Sequence, residues 1–474
     1  MSVQRMKRKM NIYFVTSREE KYEELKKVFH MPGYELIWFN HDIPELQTED
    51  EEKLVRHKVL EAFKEIRRPV LVEHSALKIK AFGDLPGLQT RNFYSKLGYQ
   101  SIVEFCGMKK SYEAAAEAII GFTDGKKIII ENGIDEGWIS DKINITKGFE
   151  WDEIFIPKKN NPLKKTYAEL GEEKYHRSMR KIAWDKMEPH IEKMENSMND
   201  QDDKKMAELA ELIKQRKVML FVGSGISASV DLPTWGSLIN ILGEKQGFDK
   251  ELFSCYGDNM MLAEYADKDR TVYEELKNQF DIDRSHNSAI RDKLEKSAIY
   301  EKLLELDFPV IYTTNYDHLI EAYYEHKGKQ CEVIKTIDDM SQAPSGVTRI
   351  MKFHGDLETE KEIVLAESQY FKRMDFQHFM DIQLQADMLR YKVLFLGYSL
   401  SDINIKLLLY LARKRNSTMQ KGMNECNSYV FTATPNQVQK EVFEKNGIVS
   451  LSGDIADKEQ GTLDFLRKLV EYKA

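Results

Sequence analysis

Residues 218–227 read Val-Met-Leu-Phe-Val-Gly-Ser-Gly-Ile-Ser, a short apolar run that gives way abruptly to glycines. Such a run is typical of a buried strand of a parallel sheet. Gly223 and Gly225, followed by Ala228, match the G-x-G-x-x-G/A pattern, whose small residues allow backbone N–H groups to approach a pyrophosphate closely. The same residues also fit a glycine turn that only joins a strand to a helix. Other parts of a site must therefore decide between the two interpretations.

The chain has 474 residues, more than one hydrophobic core usually serves, so we expect two or three domains. Its 42% hydrophobic and 31% charged residues are typical of a soluble globular protein. The basic N-terminus lacks the apolar segment of a secretory signal, and no apolar run is long enough to span a membrane. The net charge of −8 argues against a general nucleic-acid binder. We expect a cytoplasmic protein that binds neither membrane nor nucleic acid.

The N-terminal half alternates apolar strands with helical stretches, which favours an α/β fold. The predicted strands cover residues 11–16, 34–39 and 69–72, and a helix is expected from about Glu51 to Ile66. Several motifs follow in order: Ile43-Pro-Glu-Leu-Gln47, Val72-Glu-His-Ser-Ala-Leu77, Leu85-Pro-Gly87, Gly148-Phe-Glu-Trp-Asp-Glu-Ile-Phe-Ile-Pro157 and Thr166-Tyr-Ala-Glu-Leu170. This ordered set resembles the inosine-triphosphate pyrophosphatase family, which clears deaminated purine nucleoside triphosphates. The resemblance implies a mixed-sheet α/β nucleotide-binding domain over residues 10–186.

The resemblance also implies a set of nucleotide-binding residues, and their chemistry suits a purine triphosphate. Lysines act as point charges for phosphate oxygens, aromatic rings stack on a base, and a carboxylate can accept from a purine N–H. Arg180, in Ser178-Met179-Arg180, would donate to the purine carbonyl. Taken singly, the lysines could equally be solvated and the aromatic residues could be plain core. The implied residues are Thr16, Lys21, Lys58, Phe149, Trp151, Asp152, Lys174 and Arg180.

Two departures from the family affect its chemistry. Arg18 stands where the family has Asn, and Glu73-His74 stands where the family has an acidic pair. The missing acid is the one expected to activate water or hold magnesium, and a neutral imidazole is a poor ligand for a hard cation. We therefore expect impaired hydrolysis, with Glu45 and Glu73 left as candidate Mg²⁺ ligands. A binding domain without its catalytic acid is well suited to sensing a nucleotide.

Residues 187–205 are polar and charge-rich and are predicted to be a linker. Beyond them, residues 206–474 contain four apolar strands that each end in Gly, Asn, Asp, His or Ser, with a charged helical region from about Ser237 to Leu306. Strands that end in polar residues are typical of a doubly wound parallel sheet with a crevice at its carboxyl edge.

The strand ends of this second half resemble the sirtuin-like family in four motifs: Gly223-Ser-Gly-Ile-Ser227, Thr313-Thr-Asn-Tyr-Asp317, His354-Gly355 and Gly397-Tyr-Ser399. The resemblance implies a Rossmann-like domain that binds NAD and breaks its nicotinamide–ribose bond. It implies that Asn315 binds the ribose or orients the attacking water, and that His354 is the general base. A satisfied core histidine is the alternative for His354. The cofactor-binding residues implied are Gly223, Ser224, Gly225, Ser227, Thr313, Asp317, Gly397 and Ser399.

Sirtuins that deacetylate proteins carry a four-cysteine zinc module, and the four widely spaced cysteines of this chain cannot build one. The helical insert takes its place, which favours an NAD hydrolase of the kind found in bacterial defence. The complete chain resembles a fusion of the parts of Kongming-type anti-phage systems, in which deoxyinosine triphosphate switches on NAD depletion. We expect a homo-oligomer that senses inosine or deoxyinosine triphosphate.

Three alternatives remain from the sequence. The chain could be a housekeeping nucleotide pyrophosphatase with a regulatory NAD-binding domain. It could be a non-enzymatic module whose two pockets only bind metabolites. It could also be an NAD-dependent protein deacylase, since loss of the zinc module does not exclude acyl-lysine chemistry.

Overall fold

The computed structural model describes residues 9–143, 149–193, 200–268, 271–283, 287–358, 362–398, 405–407, 409–410, 428–453 and 455–474. The chain divides into two compact units, Met1–Ser197 and Met198–Ala474. Within the described ranges, no helix has the length and apolar character needed to cross a membrane.

The first unit is built on a mixed sheet. Its strands are β1 (Met10–Val15), β2 (Tyr34–Phe39), β3 (Val70–Ile79), β4 (Leu85–Gly87), β5 (Glu113–Thr123), β6 (Ile128–Ile139) and β7 (Phe155–Pro157). Its helices are α1 (Glu19–Val28), α2 (Glu51–Ile66), α3 (Thr90–Lys109), α4 (Tyr167–Leu170) and α5 (Met179–Glu192). The strand order is β2-β1-β3-β5-β6-β7, with β4 beside β3. The β2, β1 and β3 pairings are parallel and the others antiparallel, which confirms the predicted mixed-sheet α/β fold.

Strand β3 is longer than the sequence suggests. It pairs with β1 at Val70 and Leu71 and stays paired with β5 from Val70 to Ile79. The prediction that this strand ends at Val72 is therefore wrong, because β5 continues to supply hydrogen-bond partners. Glu73 and His74 lie within the strand, beyond the point where β1 runs beside it.

Helix α5 lies against β6 because Gly133 has no side chain. A Cβ on Gly133 would come within 2.1 Å of the Met179 carbonyl oxygen and 2.4 Å of the Ala183 nitrogen. On the other side of α5, Trp184 is fully buried in the core of this unit. This close approach holds the start of α5, and with it Arg180, against the sheet.

The second unit is built on a parallel sheet. Its strands are β8 (Val218–Val222), β9 (Val310–Thr313), β10 (Cys331–Ile334), β11 (Thr348–Lys352), β12 (Lys392–Leu396), β13 (Ser428–Thr432) and β14 (Ile448–Ser452). Its helices are α6 (Asp200–Lys214), α7 (Ser224–Ser227), α8 (Trp235–Lys245), α9 (Lys250–Ser254), α10 (Asn259–Ala266), α11 (Thr271–Phe280), α12 (Ser288–Glu295), α13 (Ala298–Leu306), α14 (Leu319–His326), α15 (Ile337–Gln342), α16 (Glu367–Lys372), α17 (Phe379–Arg390), α18 (Gln437–Lys445) and α19 (Lys458–Lys473).

The strand order in this unit is β10-β11-β9-β8-β12-β13-β14, and every pairing is parallel. The four strands expected from the sequence form its centre, and α8 to α13 form the expected helical insert. The predicted doubly wound sheet is confirmed. Chain order reverses beside β8, since β9 follows on one side and β12 lies on the other, and ligands of such sheets bind outside the strand ends at this point.

The range 187–205, predicted to be a linker, is helical at both of its described ends. Residues 187–192 belong to α5, and residues 200–205 belong to α6. Met187 and Ile191 are fully buried, so this part of α5 is held by the core of the first unit.

Candidate functional site

A cleft open to solvent lies in the first unit where the chain leaves β1. Four of the eight residues implied for nucleotide binding line it: Thr16, Lys21, Lys58 and Trp151. Thr16 follows β1, Lys21 lies in the first turns of α1, and Lys58 lies on α2. The structure thus brings together residues far apart in sequence around one concave, charged surface.

One wall of this cleft is a chain of charged and hydroxyl groups. The Lys21 Nζ donates to Ser75 Oγ at 2.9 Å, and Ser75 donates to Glu150 Oε2 at 3.1 Å. Arg18 donates to Glu150 Oε1 at 3.1 Å, and its guanidinium lies 5.5 Å from the centre of the Phe149 ring. The carboxylate of Glu150 therefore occupies donors that a phosphate would otherwise use.

Sequence reasoning did not identify Glu150, although its backbone marks it as unusual. Its φ of +54° lies in the left-handed region that non-glycine residues rarely adopt. The Glu150 carbonyl accepts a hydrogen bond from the Tyr99 hydroxyl. Since a backbone in this region is held at a cost of about 1–3 kcal/mol, the surrounding contacts must over-determine the position of Glu150.

Three further residues implied for the nucleotide, Asp152, Lys174 and Arg180, lie in a buried ion-pair network. Lys174 donates to Asp152 at 2.6 Å and to Glu24 at 2.7 Å. Arg180 donates to both oxygens of Glu73, at 2.9 and 3.0 Å, and also to Glu24. Burial lowers the pKa of Arg180 to about 10, which leaves it charged near neutral pH. Arg180, expected to face a purine carbonyl, is here occupied by carboxylates.

The side chains expected to hold magnesium do not fit that ion. Both Glu73 oxygens accept from Arg180, and Glu45 Oε1 lies 3.1 Å from Lys58 Nζ and 3.4 Å from His74 Nδ1. Burial lowers the pKa of His74, which disfavours its charged form. Among the residues that the structure describes, no group of three His, Cys, Asp or Glu side chains is arranged to hold a metal. No catalytic step through Mg²⁺ follows from this donor set.

Trp151 lines the cleft and also belongs to the hydrophobic core of the first unit. Its side chain is buried, and its indole N–H has no hydrogen-bond partner among the described residues. Both interpretations of Trp151, a stacking residue and a core residue, therefore remain.

In the second unit, three residues implied for NAD are joined by hydrogen bonds at the ends of β8 and β9. Asn315 Nδ2 donates to Ser227 Oγ at 2.9 Å, and Ser227 donates to Asp317 Oδ2 at 2.7 Å. An ionised carboxylate only accepts hydrogen bonds, so the Ser227 proton points to Asp317 and its lone pairs face Asn315. The chain of bonds therefore fixes which end of the Asn315 amide is the nitrogen and which is the oxygen.

Burial of Asp317 raises the pKa of its carboxyl group, and the nearby Lys352 opposes that shift. Lys352 is itself fully buried; it donates to the Asp317 carbonyl and lies 3.3 Å from Glu321. The sequence does not indicate a role for Lys352, because one lysine at the end of an apolar strand suggests only an interruption of the hydrophobic pattern.

His354 follows β11 at the edge of the sheet where Asn315 follows β9. Lys352 pairs with Thr313 across β11 and β9, and the Phe353 nitrogen donates to the Thr313 carbonyl at 2.9 Å. His354 and Asn315 each come two residues after this pair, just beyond the ends of the two strands. The His354 ring is 3% exposed and packs edge-on against Tyr370, with 5.3 Å between ring centres. The two residues implied for catalysis thus follow neighbouring strands at the same edge of the sheet.

The glycines at this edge allow two segments of backbone to approach each other. A Cβ on Gly223 would come within 2.5 Å of the Gly397 carbonyl oxygen, and one on Gly225 within 2.9 Å. Gly223 donates its N–H to the Leu396 carbonyl and Gly225 donates to the Gly397 carbonyl. The amides expected at a pyrophosphate are therefore already paired.

Three other residues are implied for NAD: Thr313, Ser224 and Ser399. Thr313 Oγ1 donates to the Val222 carbonyl at 3.2 Å and accepts from the Asn315 nitrogen at 3.0 Å, so it ties the strand ends together. Ser224 is the first residue of α7, directly after Gly223. Ser399 lies outside the described residues.

The two halves of the chain match two different families of known proteins. Residues 12–190 match the Ham1 family, and residues 309–451 match the SIR2-like domain. A dITP/XTP pyrophosphatase from Saccharolobus solfataricus is 32% identical over 188 residues, which cover 40% of this chain and 96% of that protein.

Two relatives match the second half. The NAD(+) hydrolase ThsA from Enterococcus faecium is 28% identical over 202 residues, covering 42% of this chain and 41% of ThsA. Defense-associated sirtuin 2 from Bacillus subtilis is 27% identical over 211 residues, covering 44% of this chain and 20% of that protein. The chain thus spans nearly all of the pyrophosphatase but less than half of either of these relatives.

Proposed function

The chain belongs to the Ham1 family through residues 12–190 and continues into a SIR2-like domain, and from this premise we propose that it is an NAD hydrolase controlled by a nucleoside triphosphate. The second unit cleaves NAD to nicotinamide and ADP-ribose. The first unit senses inosine or deoxyinosine triphosphate. The name of the NAD(+) hydrolase ThsA supports the activity, and the name of Defense-associated sirtuin 2 supports a role in defence, which we propose is directed against phage.

The observation that carries the hydrolase proposal is the hydrogen-bond chain Asn315–Ser227–Asp317, at the sheet edge where β11 ends two residues before His354. Cleavage of the nicotinamide–ribose bond passes its electron pair to the nicotinamide nitrogen and leaves an oxocarbenium-like ribose. Water adds to that carbon and gives up a proton. An amide oxygen held in one orientation can position the water or a ribose hydroxyl without adding charge.

His354 accepts the proton of the attacking water in this proposal. An imidazole titrates near neutral pH and is well suited to general base catalysis. Since the ring is almost fully buried, it would meet a water only within a closed site, which limits stray hydrolysis. Asp317 acts through Ser227 and positions Asn315.

The first unit is proposed as the sensor because its cleft keeps cationic donors while its carboxylates are paired. Lys21, Lys58 and Arg18 face the cleft, and His74 stands at the position of the family acid. A cleft that keeps hydrogen-bond donors for phosphate but has no metal site favours binding of a nucleotide over its hydrolysis. Binding of the nucleotide would then shift an equilibrium between inactive and active forms of the chain.

The test measures nicotinamide release from NAD by the full chain, with and without inosine or deoxyinosine triphosphate. We expect release only with nucleotide, and a loss of at least about 100-fold in His354→Ala, the lower end for removal of a general base. His326→Ala is the matched control, because that half-exposed histidine lies on α14 near Glu295. Nucleotide-independent release would refute the sensor, and full activity of His354→Ala would refute the assigned base.

The same reaction mixtures separate the alternatives. Pyrophosphate release with intact NAD would identify a pyrophosphatase. Nicotinamide release that requires an acyl-lysine peptide would identify a deacylase. Absence of both products under every condition would identify a binding module.

A further inference from the structure

We propose that the cleft of the first unit binds its nucleoside triphosphate as the metal-free anion, held directly by Arg18, Lys21 and Lys58. This inference rests on the proposed sensor function and deepens it, because it specifies the ionic form of the ligand. It starts from the pairing of charges around the cleft.

Three of the four carboxylates that line the cleft are already held by cations. Arg180 binds Glu73 through two hydrogen bonds, Lys58 binds Glu45 at 3.1 Å, and Arg18 binds Glu150 at 3.1 Å. Mg²⁺ requires oxygen ligands at about 2.0–2.1 Å in near-octahedral geometry. A magnesium ion would have to displace a cation before any of these three carboxylates could bind it, and the fourth, Asp42, accepts from Ser17.

The three cations line the cleft and can change partners. The Arg18 side chain is 24% exposed, and those of Lys21 and Lys58 are each 11% exposed. Phosphate oxygens are acceptors like carboxylate oxygens and form charge-assisted hydrogen bonds with the same donors. Moving a cation from carboxylate to phosphate therefore keeps its hydrogen bonds.

Arg91 also lines the cleft, so four Lys and Arg side chains line it together with the carboxylates of Asp42, Glu45, Glu73 and Glu150. The ammonium and guanidinium donors complement the oxygens of a triphosphate. A magnesium complex has part of that charge neutralised and some of those oxygens occupied, so it complements these donors less well.

The proposal predicts the direction of the metal effect. In millimolar Mg²⁺ most of a nucleoside triphosphate is the magnesium complex, so only a small fraction is the binding form. An apparent dissociation constant rises in inverse proportion to the competent fraction, which makes binding weaker by about tenfold in millimolar Mg²⁺ than in EDTA.

Titration calorimetry of the full chain with inosine triphosphate, in EDTA and in millimolar MgCl₂, tests this inference. We expect binding in EDTA that weakens by about tenfold when Mg²⁺ is added. Binding that requires Mg²⁺, or is tightened by it, would overturn the proposal, as would no binding in either buffer.

Two lysine variants on α1 sharpen the result. Lys21→Met removes a cation of the cleft and should weaken binding in EDTA by at least tenfold. Lys27→Met removes a cation on the same helix that pairs instead with Glu172, and it should bind as the unmodified chain does. Equal affinities of the two variants would contradict direct contact between Lys21 and the phosphates.

Nicotinamide release separates this inference from the proposed function. If the nucleotide binds in EDTA but never changes nicotinamide release, the sensor function fails and the metal-free site stands. If nucleotide activates release but binds only with Mg²⁺, the sensor function stands and the metal-free site fails.

Discussion

The Glu150→Gln substitution should tighten nucleotide binding to the first unit, although it removes an ion pair. The Glu150 carboxylate accepts from Arg18 and from Ser75, which in turn accepts from Lys21. An incoming triphosphate must take these donors away from Glu150 and come close to its negative charge. The neutral amide has the same shape, competes more weakly and does not repel phosphate.

The magnitude follows from the exposure of the Arg18–Glu150 pair. Its atoms are 3.1 Å apart, and the two side chains are 24% and 8% exposed. Fully exposed pairs contribute about 0–1 kcal/mol, whereas hydrogen bonds to buried charged groups contribute about 1.5–3 kcal/mol. A value of about 1 kcal/mol for this half-buried pair corresponds to about fivefold in the dissociation constant. The loss of repulsion between the Glu150 carboxylate and the phosphates adds to this gain, so we expect affinity to rise by about five- to tenfold.

The assay is calorimetry with inosine triphosphate in EDTA, with Asp42→Asn as the matched control. Asp42 lines the same cleft but accepts its hydrogen bond from the neutral Ser17, at 3.1 Å. Its neutralisation should therefore change affinity by less than Glu150→Gln does. Unchanged or weaker binding by Glu150→Gln would refute competition between this carboxylate and phosphate. An equal gain in affinity in both variants would show that removing any negative charge from the cleft has the same effect.

Ser227→Ala breaks the link between Asn315 and Asp317 and should lower nicotinamide release by about 10–100-fold with little change in melting temperature, measured by activity and thermal unfolding. Arg373→Met leaves the buried Asp381 carboxylate, which accepts from that guanidinium at 2.6 and 3.2 Å, without its cation. It should cost about 3–5 kcal/mol in urea unfolding, and Arg373→Met with Asp381→Leu should recover part of that loss. Burial raises the pKa of Asp317, so the folded chain binds a proton at this carboxyl group more readily than the unfolded chain does. The contribution of this group to the free energy of unfolding therefore falls as pH rises through the raised pKa. Asp317→Asn should remove that dependence in unfolding measured across pH.

The strands that build the second site could be predicted, because each is a short apolar run with a polar end. The β5–β6 hairpin of the first unit could not. Residues 113–123 are rich in alanine and are buried over most of their length, so they lack the alternation of a half-exposed strand. Periodicity alone does not separate such a run from a buried helix.

The charge pairing of the first site also lies beyond sequence reasoning. Glu73 and Arg180 are on β3 and α5, and only the packing of α5 against Gly133 brings them together. The sequence analysis singles out both residues but assigns each an external partner, a metal or a purine. Buried charges are nearly always paired, so two such residues are as well suited to each other as to a ligand.

The glycine turn after β8 shows the same ambiguity in the backbone. A glycine is needed wherever another group must come closer than a Cβ permits. Both a bound phosphate and a second backbone segment can be that group, so both require the same glycine in the sequence. Here the second segment is Gly397, whose carbonyl accepts from Gly225. Since these amides are paired within the chain, the pattern by itself is weak evidence for a pyrophosphate. The case for NAD therefore depends on Asn315 and His354, which follow the neighbouring strands β9 and β11 at one edge of the sheet.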